Sequence, residues 1–142
     1  MKYNIIILTA FLLLNCSFNS TRKNKEEDKI DAENITKQFY SILNKSDTRE
    51  LYQLFGEKFF NITSKKQLEK MLYDISTECG SKVTNTKLKK WETFVSNGTD
   101  SRSEYVLLYI VQRNIKNTEE KITLEKENGN IKIVGYDVTL AK

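Results

Sequence analysis

Apolar positions along the chain keep three different rhythms in turn. From Ile5 to Leu14 they form a run interrupted only by Thr9, behind the single charge of Lys2. As a helix that run covers about 15 Å, roughly half of a hydrocarbon core, so it is too short to span a bilayer. Residues 17–29 then hold one large apolar side chain, Phe18, among charged and small polar residues. Such a stretch buries too little surface to offset its ordering entropy, and a flexible tether is predicted.

A helical rhythm follows. Ile35, Phe39, Ile42 and Leu43 make one stripe behind Asp31 as N-cap, and Leu51, Leu54 and Phe55 make a second. Leu68, Met71, Leu72, Ile75 and Cys79 make the third and clearest. Asp47 to Glu50 and Ser64 to Gln67 have the spacing of capping boxes, and Gly56 and Gly80 are predicted stops. The connector Glu57 to Ile62 is predicted to tuck under the core.

Beyond Gly80 the period drops to two. Leu88 lies in one alternation phase and Trp91, Thr93 and Val95 in the other, which predicts a bulge near Lys89 and Lys90. Tyr105, Leu107, Tyr109 and Val111 alternate with Val106, Leu108 and Ile110, so this strand is apolar on both faces and predicted to be central. Ile122 and Leu124 face one way, Lys121, Thr123 and Glu125 the other. Asn128-Gly129 is a two-residue hairpin signal. Ile131 to Leu140 closes the sheet, again apolar on both sides.

Helices first and strands after predict an α+β fold, with three N-terminal helices packed on a curved four-stranded antiparallel sheet. Three helices cover one side of such a sheet. The apolar surplus on the other side suggests an interface, with a homodimer through the sheet face as one use.

Composition narrows the chemistry. Lys and Arg number 23 against 19 Asp and Glu, a net charge of +4 spread through the chain, which argues against nucleic acid as a partner. Histidine and proline are absent, and there are two cysteines. Cys79 sits on an apolar helical face and reads as a buried structural thiol. Lys82, Lys87, Lys89 and Lys90 beside Trp91 read as a lysine-guarded strand edge. No metal-ligand cluster, nucleophile motif or phosphate loop is present in the sequence, so no cofactor is expected.

Leu13-Leu14-Asn15-Cys16 closes the first apolar run and resembles the lipobox of bacterial lipoproteins, with Asn15 where that motif carries Gly, Ala or Ser. The resemblance implies removal of residues 1–15 as a signal peptide and lipidation of Cys16. It also implies attachment to the bacterial cell envelope, at the outer membrane where one exists, through a tether over 16–29. Residues 30–142 remain as one domain. The order of elements, with Phe39-Tyr40, Cys79-Gly80, Trp91 and the closing Asn128-Gly129 to Gly135-Tyr136, is similar to the nuclear transport factor 2-like (cystatin-like) superfamily. That resemblance implies a cone with an open end, in a superfamily that includes isomerases, dehydratases and non-catalytic binding modules. A ligand- or protein-binding module is the first expectation here, since histidine is absent and the acids fall mostly in caps and turns. The alternative is a small isomerase- or dehydratase-like enzyme with Asp137 as base and Tyr109 as oxyanion donor in the cone.

Overall fold

The computed structural model describes residues 20–45, 48–99 and 101–142. Among these, the elements are β1 (Ser20–Lys23), α1 (Glu26–Lys45), α2 (Thr48–Leu54), α3 (Glu57–Phe60) and α4 (Lys65–Cys79), followed by β2 (Val83–Asn97), β3 (Arg102–Arg113), β4 (Thr118–Glu127) and β5 (Asn130–Leu140). The strands form one antiparallel sheet in the order β1-β2-β3-β4-β5. The α+β class is as the sequence predicts, with one more strand and one more short helix. Cys16 and the Asp47 cap lie outside the described residues.

The extra strand corrects the tether. Ser20 to Lys23 pairs with Asn97 to Phe94 of β2, and α1 already begins at Glu26, so residues 20–23 and 26–29 of the expected tether belong to the fold. Polar side chains do not prevent this, because the pairing is made by backbone. Asn24, at φ 49°, extends it: its amide donates to the Thr93 carbonyl and its Oδ1 accepts from the Thr93 amide, both at 2.9 Å. Near the other end of α1 the Asn44 side chain alone does this, its Nδ2 donating to the Val83 carbonyl and its Oδ1 accepting from the Val83 amide, at 2.9 Å each. Two asparagines thus continue the strand pairing on either side of one helix.

α1 lies across β2, β3 and β5 and buries Ala32, Thr36, Phe39 and Tyr40. Its buried face is turned from the predicted stripe; Ile35, Ile42 and Leu43 are only partly covered. The cause is polar, since the Thr36 hydroxyl makes a 2.8 Å hydrogen bond with the Tyr109 hydroxyl in the core. Phe39 meets Tyr40, Phe55 and Tyr136 edge-on. Fully buried Leu107, Ile122, Leu124 and Ile133 fill the helix-covered side of the sheet, each contributing about 1.5–3 kcal/mol.

Bulges in β2 and β5 decide which of their side chains face the core. In β2 the register shifts between Leu88 and Lys90, where the bulge is expected, so Leu88 and Trp91 both turn toward α1. In β5 Val134 is the extra residue, between the pairs Ile133–Leu124 and Gly135–Thr123. Ile131 and Ile133 before it, and Tyr136 and Val138 after it, face the core together. β5 is thus one-sided, contrary to its unbulged alternation.

α4 opens with the predicted capping box, Ser64 with Gln67. Gly56 caps the start of α3 in extended conformation, and Phe59 of α3 is buried under the core. The β4–β5 hairpin turns on Asn128 and Gly129, at φ 50° and 84°, as that dipeptide demands.

Candidate functional site

Charge is buried deepest at Glu120, which is 0% exposed. β4 alternation sends it inward beside Ile122, and the core supplies partners. Its Oε1 accepts from Arg113 Nε and Nη2 at 3.1 and 2.7 Å and from the Thr118 hydroxyl at 2.6 Å. Its Oε2 accepts from the Tyr136 and Tyr40 hydroxyls at 2.7 and 3.1 Å. Arg113 also donates to the Gly80 carbonyl at 3.4 Å, tying the end of α4 to the pair. Burial, reinforced by the Glu120 charge, raises both tyrosine hydroxyls above their ordinary range. Every lone-pair direction of the carboxylate is in use, so Glu120 holds the core together and has no room to take a substrate proton.

The structure does not bring Asp137 and Tyr109 together. Tyr109 faces inward with its hydroxyl on Thr36, and burial pushes that hydroxyl up to about 12. Asp137 is exposed on the opposite face, in a 2.9 Å ion pair with Lys121. Cys79 is buried, as expected of a structural thiol. β1 covers β2 only from Phe94 to Asn97, so the lysine-rich half of β2 remains an edge; Lys89 pairs with Glu119 and Lys90 with Glu92. On the outer face Val106, Leu108 and Ile110 form a half-buried stripe between those ion pairs. Among the described residues, no group of acids, cysteines or histidines is placed to hold a metal ion. No helix among them is long and apolar enough to cross a membrane.

A groove of about 490 Å³ runs between α4 and β5. Met71 and Ile75 line it from the helix, with Tyr136, Val138 and Leu140 opposite. Asp137 and Thr139 line it too. Consecutive residues of one strand point to opposite faces, so a groove touching all of 136–140 opens on the edge of β5. That edge is partly closed lower down, where Gly56 donates to the Ile133 carbonyl at 2.9 Å and Phe55 bridges Ile133 in parallel. Among the described residues no other backbone group bonds it from 134 to 140. Asp74 and Glu78 stand on the helix rim; Asp74 pairs with Lys70, and Glu78 has no ion pair among the described residues.

No family model, no curated protein and no solved structure matches this chain.

Glu120 was legible in principle, because the phase that buries Ile122 and Leu124 includes it. The groove was not, since α4 and β5 carry ordinary amphipathic patterns and their facing is a tertiary fact.

Proposed function

We propose that this chain is a lipid-anchored binding module of the bacterial cell envelope whose domain takes up an extended segment of a partner protein along β5. The observation that carries the reading is the open backbone edge of residues 134–140 lying against a groove with apolar walls. An added strand satisfies those amides and carbonyls and sends alternate side chains toward Met71 and Ile75. α4 walls one side of the groove, which favours a peptide over a second folded copy. Glu78 adds a preference for a basic residue in the peptide. The envelope address rests on the Leu13 to Cys16 stretch. A homodimer would use the Val106, Leu108 and Ile110 stripe and leave the groove free.

Hydrogen exchange on the full chain tests the strand. The probes are octapeptides alternating Val or Ile with Lys or Thr. Binding should slow exchange in the 134–140 segment about tenfold or more, and N-methylation along the peptide edge facing β5 should abolish the effect. Glu78→Ala should weaken the lysine-containing peptides selectively. Protection elsewhere in the domain, or none with any of the probes, removes the proposal.

A further inference from the structure

The hydrogen-bonding phase of β5 decides which of its backbone groups an added strand can reach. Ala141 donates to the Asn117 carbonyl at 3.1 Å, and below that pair Thr139 lies opposite Glu119 and Asp137 opposite Lys121. In an antiparallel ladder, residues that exchange both bonds with the neighbour alternate with residues that turn both groups away. Thr139 and Asp137 share the phase of Ala141 and bond to β4. The amides and carbonyls of Leu140, Val138 and Tyr136 therefore point to the open side. These same three residues line the groove opposite Met71 and Ile75. Outward hydrogen bonds and apolar wall belong to one set of positions.

The edge is bonded at one end only. Phe55 bridges Ile133 and the Gly56 amide holds the Ile133 carbonyl, so a strand lying along 136–140 cannot continue past that point. α4 runs beside β5 in the same direction. It starts after α3, which packs on β5. At its other end the Cys79 carbonyl takes the Ile115 and Lys116 amides, in the turn that leads to Thr118, the partner of Leu140. Polar groups on the helix rim are thereby ordered along the slot, with Gln67 and Lys70 towards the closed end and Glu78 at the other. Lys70 is exposed and shares its ammonium with Asp74 at 2.6 Å. Gln67 Oε1 accepts from the Ser64 amide, which leaves Nε2 to donate. Asp137 is engaged with Lys121 on the outer face.

We propose that the segment β5 receives is a polypeptide C-terminus, running antiparallel to β5 with its terminal carboxylate on Lys70 and Gln67. Such a tail enters beside Leu140 and Glu78 and ends where Phe55 and Gly56 close the edge, so nothing has to pass the obstruction. An internal segment has to leave the sheet there, and a parallel strand brings its positive end to Lys70. Antiparallel pairing also gives each groove-facing residue of the tail both of its bonds to β5, whereas a parallel tail bonds through the residues that face outward. The inference rests on the β5 reading above and adds to it the direction of the chain and the chemical group at its end.

Titration of the full chain with acetyl-Lys-Val-Thr-Val-Thr-Val tests it, the peptide being made as the free acid, as the carboxamide, and as a carboxamide extended by Gly-Ser-Gly. The free acid should bind about tenfold more tightly than the other two, the scale of one charge-assisted contact. Lys70→Gln should remove most of that ratio, and Lys66→Gln, on α4 outside the groove, should keep it. N-methylation of the second valine should abolish binding, and N-methylation of the second threonine should not. Hydrogen exchange at 134–140 separates the two readings. Equal affinity of acid and carboxamide with 134–140 protected leaves the added strand standing and overturns the C-terminus. Binding that survives N-methylation of the valine but not of the threonine is the mark of a parallel strand and overturns it too. No binding by any of the peptides overturns both.

Discussion

Glu120 takes five hydrogen bonds from four side chains, and the cost of losing it follows from what it would leave behind. Glu120→Ala strands the Arg113 guanidinium, 8% exposed, without its counter-charge. Breaking a buried pair in this way costs about 3–5 kcal/mol, whereas an exposed pair such as Lys121–Asp137 contributes about 0–1 kcal/mol. Urea unfolding of Glu120→Ala and Asp137→Ala should therefore separate the two by several kcal/mol. Equal midpoints would mean that the Glu120 cluster does not hold the core. The inward phase of Glu120 can be read from Ile122 and Leu124, although it was not singled out. Sequence did not show the partners, because Tyr40 is 80 residues away and Arg113 only 7, and no periodicity links them.

At the level of elements, the bulges at Lys89 and Val134 decide which residues of β2 and β5 face the core. Leu88 and Trp91 are three apart and could not share a face of a regular strand. Lys89, the extra residue, lets both turn inward. Deleting Lys89 would place Leu88 and Trp91 two apart, still facing the core, with the loss confined to local curvature. Deleting Glu92 would instead turn one flank of β2 inside out and expose two or more apolar side chains, about 3–6 kcal/mol at 1.5–3 kcal/mol each. The Lys89 deletion should keep a cooperative transition near the parent midpoint in thermal melts. A collapse as severe as that of the Glu92 deletion would contradict the assignment. The β2 bulge was readable because its phase break falls between polar lysines. The β5 bulge was not, because Val134 is itself apolar and made the strand look two-faced. β1 escaped notice for the opposite reason, since nothing in Ser20-Thr21-Arg22-Lys23 is apolar and its place is fixed by pairing with β2.

For the whole molecule, the sheet has two margins with different occupations. β1, the first described element, forms one, and β5 with its open upper half forms the other. Mass spectrometry of the protein recovered from membranes should find residue 16 as an acylated N-terminus. Parent protein that keeps residues 1–15, or that is cut elsewhere and carries no acyl mass on Cys16, would remove the anchoring proposal. Because β1 starts at Ser20, the peptide steps back to Cys16 reach at most about 14 Å, a shorter leash than a tether running to residue 29 would give. The β5 margin lies about 19 Å further across the sheet at a strand spacing near 4.8 Å. A lipid on Cys16 would thus hold the domain by its β1 margin, close to the headgroups, with the vacant margin turned outward. The bilayer and an incoming polypeptide then meet opposite sides of the same sheet, and neither has to displace the other.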